Sequence, residues 1–223
     1  MHIPRLQKTP EVNDIPKTFD AQGIAYEKVC CINWKDYPYC PESKVRLAIS
    51  DSYLLVHYSV YEECVRAEYG TDGGQVWTDS CMEIFIALNQ QSSMNSLEQS
   101  FQSGIRHAQS YFNIECNCIG TLLMAKGPNR NSRTPLTPEE LKSVKRWASL
   151  GRTTFPQRHK PTHWEVALAI PLDLIGNPKD SLCFNVYKCG DNLPTPHFLS
   201  LFPILSAEPN FHMPAFFQEV PLG

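Results

Sequence analysis

A tryptophan, two carboxylates and an amide lie on or beside strand-like segments of this chain. Trp77 precedes the segment CMEIFI, in which Glu83 is surrounded by apolar residues. Glu115 and Asn117 occupy alternate positions in the segment SYFNIECNC. Sugars stack their apolar C–H faces on aromatic rings and hydrogen-bond to carboxylate, amide or guanidinium groups at the ring edge. These residue types therefore predict a sugar site containing Trp77.

A second aromatic candidate lies near the C-terminus, in the segment NFHMPAFF. Phe211 offers a second stacking surface, and His212 offers ring nitrogens beside it. By residue type alone, Trp77 is equally compatible with the hydrophobic core, and a core position is the commoner one for Phe211. A binding site is therefore predicted from the combination rather than from either aromatic residue.

The same carboxylates leave a catalytic alternative open. Glu83 and Glu115 are a candidate acid–base pair, because glycosidases use two carboxyl groups roughly 5–10 Å apart. The chain contains no G-x-S-x-G, H-E-x-x-H, G-x-x-x-x-G-K or G-x-G-x-x-G motif, so other common enzyme classes have no support.

The elements that must position these residues are mostly strands. Residues 45–50 and 53–60 flank Asp51 and Ser52, which predicts a β-hairpin. About eight β-rich segments in all predict an all-β fold, an antiparallel sandwich or barrel, in one domain spanning residues 1–223. The other six segments cover residues 81–88, 110–118, 121–125, 163–170, 182–189 and 197–202.

Three segments differ from this strand pattern. Residues 90–109 are polar and predict a long surface excursion between two strands. Thr137, Pro138 and Glu140 begin the segment TPEELKSVKRWASL with the spacing of an N-cap, a first helical residue and a capping-box partner. This segment predicts a short helix, one of one or two expected at the periphery. Arg130 and Arg133 lie in the loop before this helix and are predicted to be solvated.

Composition excludes several classes of function. The formal net charge of −3 over 223 residues provides no basic field for nucleic acid. The longest apolar runs fall far short of the roughly 20 residues of a membrane-spanning helix. The start MHIPRLQKTP lacks the apolar core of a signal peptide, so the chain as written is expected in the cytoplasm, with export open if a longer chain carries a leader. Nine scattered cysteines predict reduced thiols.

Six segments in a fixed order resemble the family 9 carbohydrate-binding modules, in particular the family-9-like domains of Bacteroidota. The resemblance extends from about Trp34 to the C-terminus. The segments are LLVHYSVYEECVRA, VWTDSCMEIFI, YFNIECNCIGTLL, HWEVALAIPLDLIG, FNVYKCGD, and PHFLSLFPI followed by PNFHMPAFF.

The resemblance implies a jelly-roll or DOMON-like β-sandwich that binds a mono-, oligo- or polysaccharide without cleaving it. Trp77 and Phe211 would be the two walls of an aromatic clamp at a chain end. Glu83 would accept a hydroxyl hydrogen bond, and Asn117 would be the strand's asparagine. Glu115 falls where the family can use an arginine.

The resemblance also implies a structural calcium ion, for which the acidic turn at Glu62 and Glu63 is the candidate. The chain departs from the family pattern at Leu201, where an aromatic is common, and at Gln218, where a glycine is common. Some related DOMON-like sandwiches hold haem, with Met82 or Met213 and His212 as the candidate ligands here. Oligomeric state is left open.

Overall fold

The computed structural model describes residues 1–87 and 110–223. The predicted surface excursion over residues 90–109 lies outside this part of the chain. The described chain forms an antiparallel β-sandwich with short peripheral helices, which confirms the predicted fold class. All nine cysteines are free thiols.

Fifteen strands are present in the described residues. In chain order they are β1 (Glu27–Lys28), β2 (Cys31–Ile32), β3 (Glu42–Ile49), β4 (Tyr53–Glu62), β5 (Val65–Ala67), β6 (Cys81–Ala87), β7 (Tyr111–Asn117), β8 (Leu122–Gly127), β9 (Thr134–Pro135), β10 (Lys145–Ala148), β11 (Phe155–Arg158), β12 (Thr162–Pro171), β13 (Ser181–Cys189), β14 (Phe198–Ser200) and β15 (Gln218–Pro221).

The strands form two main sheets. The smaller has the order β1-β3-β4-β12-β10, and it contains the predicted hairpin as β3 and β4. The larger has the order β2-β14-β13-β6-β7-β8-β9, with β15 also paired to β13. A separate two-stranded pair joins β5 to β11.

Side-chain alternation along β6 places apolar side chains on the inner face of the larger sheet and Glu83 on its outer face. Met82 and Ile84 point into the core between the sheets. Glu83 and Phe85 therefore point to the opposite, outer face, because neighbouring strand residues face opposite sides. Loops cover this outer face with a second apolar cluster that includes Phe85, Tyr187 and Phe211. The larger sheet is thus buried on both faces, and its outer face carries the carboxylates.

Two short α-helices within residues 1–87 and 110–223 pack at the periphery. Helix α1 (Ile15–Ala21) buries Ile15 and Phe19 against the outer face of the smaller sheet. Helix α2 (Pro138–Ser143) begins as predicted, with Thr137 and Glu140 forming a capping box. The chain after α2 is strand β10 rather than helix, because residues 145–148 pair with β12. No helix in the described residues is long and apolar enough to span a membrane.

Candidate functional site

A cavity opens on the outer face of the larger sheet, with β6 and β7 as its floor. It encloses about 540 Å³, counting its open mouth. Loops after β8 and β13 and the segment before β15 form its walls. The described residues that line it are Trp77, Glu83, Glu115, Arg130, Arg133, Cys189, Asp191, Phe198, Pro209, Asn210, Phe211 and His212. Five of the six predicted site residues therefore meet in one place.

The floor of the cavity is a pair of buried carboxyl groups. Glu83 on β6 lies directly opposite Glu115 on β7, and each is 3% exposed. Burial raises the pKa of Glu83 well above its usual range, and the nearby Glu115 charge raises it further. Burial raises the pKa of Glu115 to about 7. At neutral pH the Glu83–Glu115 pair therefore holds at least one proton.

Each floor carboxyl group is held by a neighbouring donor. The Cys189 thiol donates to Glu83 Oε1 at 3.0 Å, and the Asn113 amide donates to Glu115 Oε1 at 2.9 Å. Glu115 Oε2 has no hydrogen-bond partner among the described residues. One carboxylate oxygen of the floor is thus left unused beneath the cavity.

A guanidinium group lies beside the Glu115 carboxyl group. Arg133 Nη1 lies 3.9 Å from Glu115 Oε1 and, within the described chain, is itself buried without a hydrogen-bond partner. Arg133 Nε donates to the Arg130 carbonyl at 2.9 Å, which fixes the loop. The prediction that both arginines are solvated is therefore wrong for Arg133, whose side chain is only 20% exposed.

Gly127 makes this arrangement of the loop possible. A Cβ at Gly127 would lie 2.7 Å from the Arg133 Cα and closer still to the Ser132 carbonyl. Only a residue without a side chain lets the loop between β8 and β9 fold back this tightly. The glycine before the basic loop was the sequence signal that could have indicated Arg133.

Trp77 stands at the mouth of the cavity and is half-buried. It lies in a 3-10 turn over Val76–Thr78, where the Thr78 hydroxyl donates to the Gln75 carbonyl at 2.7 Å. The Trp77 carbonyl accepts a hydrogen bond from the Asp191 backbone N–H at 3.2 Å. These contacts fix the backbone on both sides of the ring while part of the indole remains open to the cavity.

Phe211 lies in the wall but is not an open stacking surface. Its ring is stacked on Tyr187 with centroids 4.2 Å apart and planes 8° from parallel, and the residue is 9% exposed. One face of the ring is therefore already covered and the side chain is nearly buried, so Phe211 offers a ligand less stacking surface than the clamp wall expected at this position.

His212 is held as a neutral ring. Its Nδ1 shares a 2.8 Å hydrogen bond with the Tyr111 hydroxyl, and its ring packs at 4.9 Å from Phe85. Burial, together with the charges of Arg133 and Arg130, lowers the pKa of His212 to about 3. His212 therefore brings a hydrogen-bonding edge to the cavity without adding a positive charge.

Asn117 does not belong to the cavity, contrary to the prediction. Its side-chain nitrogen donates to the Tyr69 carbonyl at 2.8 Å and to Asp79 Oδ2 at 2.9 Å. Its side-chain oxygen accepts from the backbone N–H groups of Ile119 and Thr121. Every polar atom of this buried amide is used within the protein, so none remains for a ligand.

We therefore expect Asn117→Ala to lower the free energy of unfolding by about 1–2 kcal/mol, because it leaves buried hydrogen-bonding groups without a partner. Chemical denaturation measures this loss. Sugar affinity, measured where the variant is fully folded, should be unchanged. A large loss of sugar affinity in a folded Asn117→Ala protein would show that Asn117 does contribute to sugar binding.

The acidic turn does not fit the calcium ion implied by the resemblance. Glu62 is buried in an ion pair with Lys188 Nζ at 3.0 Å, and it accepts a 2.7 Å hydrogen bond from the indole of Trp164. Calcium requires six to eight oxygen ligands, whereas here an ammonium group already balances the buried carboxylate. Glu63 is exposed beside it.

The haem alternative is also inconsistent with the geometry for Met82. Met82 points into the core between the sheets, while His212 lies over the outer face of the larger sheet. The two side chains are on opposite sides of β6 and cannot bind one iron atom. Met213 is adjacent to His212 in the chain and is packed in the outer aromatic cluster.

Comparison with known proteins gives one family and a set of similar structures. The family model described as carbohydrate-binding family 9 matches residues 13–103 and 99–222. No curated protein matches the chain. A candidate carbohydrate-binding protein from Bacteroides uniformis is 35% identical, with a TM-score of 0.87 over 100% of this chain and 98% of that one.

Two more distant structures share the fold. Both are family 9 modules from Caldicellulosiruptor kristjanssonii, each 14% identical over 100% of this chain. The one in complex with glucose has a TM-score of 0.59 and is covered over 96% of its length. The one in complex with cellotriose has a TM-score of 0.57 and is covered over 93%.

Proposed function

The chain belongs to carbohydrate-binding family 9, and we propose that its cavity binds one pyranose ring of a mono-, oligo- or polysaccharide. The protein is a non-catalytic carbohydrate-binding module. In the proposed complex the sugar ring stacks on Trp77, and its hydroxyl groups bond to the polar groups of the floor and walls. Phe211 and His212 contact the ring from its edge.

The observation that carries this proposal is the unpaired donor and acceptor at the floor. Arg133 Nη1 and Glu115 Oε2 are both buried and lack partners among the described residues. A buried polar group without a partner costs roughly 1–3 kcal/mol. A sugar hydroxyl can accept from the first group and donate to the second, because it has one hydrogen and two lone pairs. A bound pyranose therefore satisfies both.

The half-buried Trp77 supplies the apolar part of the same site. Together with the Arg133–Glu115 pair, it gives the cavity the aromatic surface and polar edge that sugar recognition requires. One such platform with charged hydrogen bonds supports micromolar to millimolar affinity.

The floor carboxyl groups are arranged for binding rather than hydrolysis. Glu83 and Glu115 are cross-strand neighbours on one side of the cavity. In a glycosidase the two carboxyl groups flank the scissile bond so that one protonates the leaving group while the other attacks or activates water. Two carboxyl groups side by side beneath the same ring cannot act from both directions, in agreement with the non-catalytic character of the family.

Calorimetric titration with glucose and cellotriose, followed by a wider panel of monosaccharides and oligosaccharides, tests the proposal. We expect saturable binding of at least one sugar at micromolar to millimolar concentration. Sorbitol is the matched control, because it has comparable hydroxyl groups without a ring to stack. Absence of saturable binding across the panel would contradict the proposal.

A further inference from the structure

Two buried thiols lie beside one carboxyl group at the floor of the cavity. Cys81 on β6 pairs with Cys189 on β13, and Glu83 follows two residues later on the same face of β6. One ligand atom from each residue lies within 4.8 Å of the other two. Cys189 Sγ and Glu83 Oε1 are 3.0 Å apart.

This group has the chemistry of a site for a thiophilic metal ion. Zinc binds sulfur at about 2.3 Å and carboxylate oxygen at about 2.0–2.2 Å, so two atoms on one tetrahedral ion lie roughly 3.3–3.8 Å apart. The observed spacing needs only small side-chain movements to meet this. Calcium is disfavoured, because it takes oxygen ligands.

We propose that Cys81, Glu83 and Cys189 bind a thiophilic divalent cation, such as Zn²⁺, in the floor of the cavity. The three residues supply three ligands, and the fourth position faces the cavity and takes water. Glu83 and Cys189 line the cavity directly, which gives an ion a path to the site. Cys81 lies behind them, fully buried.

Binding of the ion is coupled to the loss of protons from its ligands, so it should strengthen as the pH rises. Burial raises the pKa of the Cys81 thiol to about 12 and raises that of Cys189 well above its usual value, so both thiols are protonated without metal. Burial also raises the pKa of Glu83, which favours its protonated form. Coordination of the ion by two thiolates and one carboxylate releases the protons that these groups hold and leaves one net negative charge. Arg133 and Arg130, which also line the cavity, offset that charge.

A metal ion here would compete with sugar. Glu83 is part of the cavity floor, and coordination would remove its carboxyl group from the hydrogen-bonding set. This consequence depends on the proposed function, whereas the metal site itself does not. Spectroscopic detection of the ion therefore tests the site even if no sugar binds.

Cobalt titration tests the site directly. Co²⁺ replaces Zn²⁺ at thiolate sites and gives a thiolate-to-cobalt charge-transfer band together with visible d–d bands. We expect both in the wild-type protein kept reduced with a phosphine, and we expect Zn²⁺ to abolish them. Absence of the charge-transfer band in the wild-type protein would overturn the proposal.

Matched variants assign the ligands. Cys189→Ser and Cys81→Ser should lose most of the charge-transfer intensity. Cys118→Ser should retain it, because Cys118 is an equally buried thiol that donates to the Arg66 carbonyl elsewhere in the core. Glu83→Gln removes no thiol, so it should keep the charge-transfer band. This variant should need a higher Co²⁺ concentration to bring the band to full intensity. Circular dichroism verifies that each variant is folded. If a serine variant is unfolded, the Co²⁺ affinity of Glu83→Gln is the test of the ligand set. Unchanged cobalt binding in folded serine variants, or in Glu83→Gln, would refute this ligand set.

Discussion

Trp77→Ala is expected to weaken sugar binding at least about thirtyfold, roughly 2 kcal/mol, as expected for an aromatic residue at the centre of a binding site. The half-buried indole lines the cavity and is the proposed stacking surface, whereas Phe211 is nearly buried and already stacked on Tyr187. The loss should appear as a higher dissociation constant in calorimetry. The fold should persist, because Trp77 is only half-buried and its turn is fixed by backbone contacts.

Trp147→Ala is the matched control for this experiment. Trp147 is also half-buried, but it lies on β10 in the smaller sheet and packs against the cluster that holds α1. Its replacement should leave sugar affinity unchanged. Equal affinity of wild type and Trp77→Ala for sugar would show that the sugar does not stack on Trp77. Equal losses in both variants would show that the effect is a general one on stability.

Lowering the pH from about 8 to about 5.5 is expected to weaken sugar binding by about fivefold to tenfold. Glu115 accepts a hydroxyl hydrogen bond best as a carboxylate, since hydrogen bonds to charged groups are worth roughly 1 kcal/mol more than neutral ones. Its pKa of about 7 places the loss of that charge within this range. Calorimetry at several pH values measures the effect.

Stability should change in the opposite direction over the same range. The folded state raises the pKa of Glu115 from 4.5 to about 7, so it binds more protons than the unfolded state between these values. The stabilising contribution of protonated Glu115 is fully present below about pH 4.5 and is lost as the pH rises through about 7. At pH 8, Glu115→Gln should therefore melt a few degrees higher than wild type.

The same variant separates binding from stability. Glu115→Gln should bind sugar weakly at every pH, with the pH dependence largely removed. Asp191→Asn is the control for the other carboxyl group of the cavity that titrates in this range, since burial raises the pKa of Asp191 to about 6. If Glu115 is responsible for the pH dependence of sugar binding, Asp191→Asn should keep that dependence. A wild-type affinity that is flat between pH 8 and pH 5.5 would contradict the role of Glu115. So would a Glu115→Gln variant that binds as well as wild type.

Strand patterns predicted the fold because alternation and turn chemistry act over short distances. Asp51 and Ser52 marked the β3–β4 hairpin, and Thr137 with Glu140 marked the start of α2. Alternation also explains why Glu83 leaves the core, since Met82 and Ile84 on either side fill it. These inferences needed only neighbouring residues.

The site was predicted only in part because its details depend on contacts between distant segments. Asn117 has a binding residue's type and strand position, but its amide is used by Asp79, 38 residues away. Phe211 is occupied by Tyr187, 24 residues earlier, through a ring stack that sequence alone does not show. Arg133 reaches Glu115 only through the tight return of the loop at Gly127.

The paired carboxyl groups support the proposal that the cavity is a binding site rather than part of the core. Burying Glu83 and Glu115 beside each other raises the pKa of both, which is a cost to the fold at neutral pH. Apolar residues at these positions would avoid that cost. In the proposed complex the carboxyl groups instead recognise hydroxyl groups of the sugar.

The tryptophan indole resonances in a ¹H–¹⁵N NMR titration with sugar show whether the ligand binds against Trp77. The four tryptophans give four indole signals, which Trp→Phe variants assign. We predict that the Trp77 signal shifts progressively and saturates with the calorimetric dissociation constant, while the Trp147 and Trp164 signals stay in place. Saturable sugar binding that leaves the Trp77 signal unmoved would contradict this account of the site.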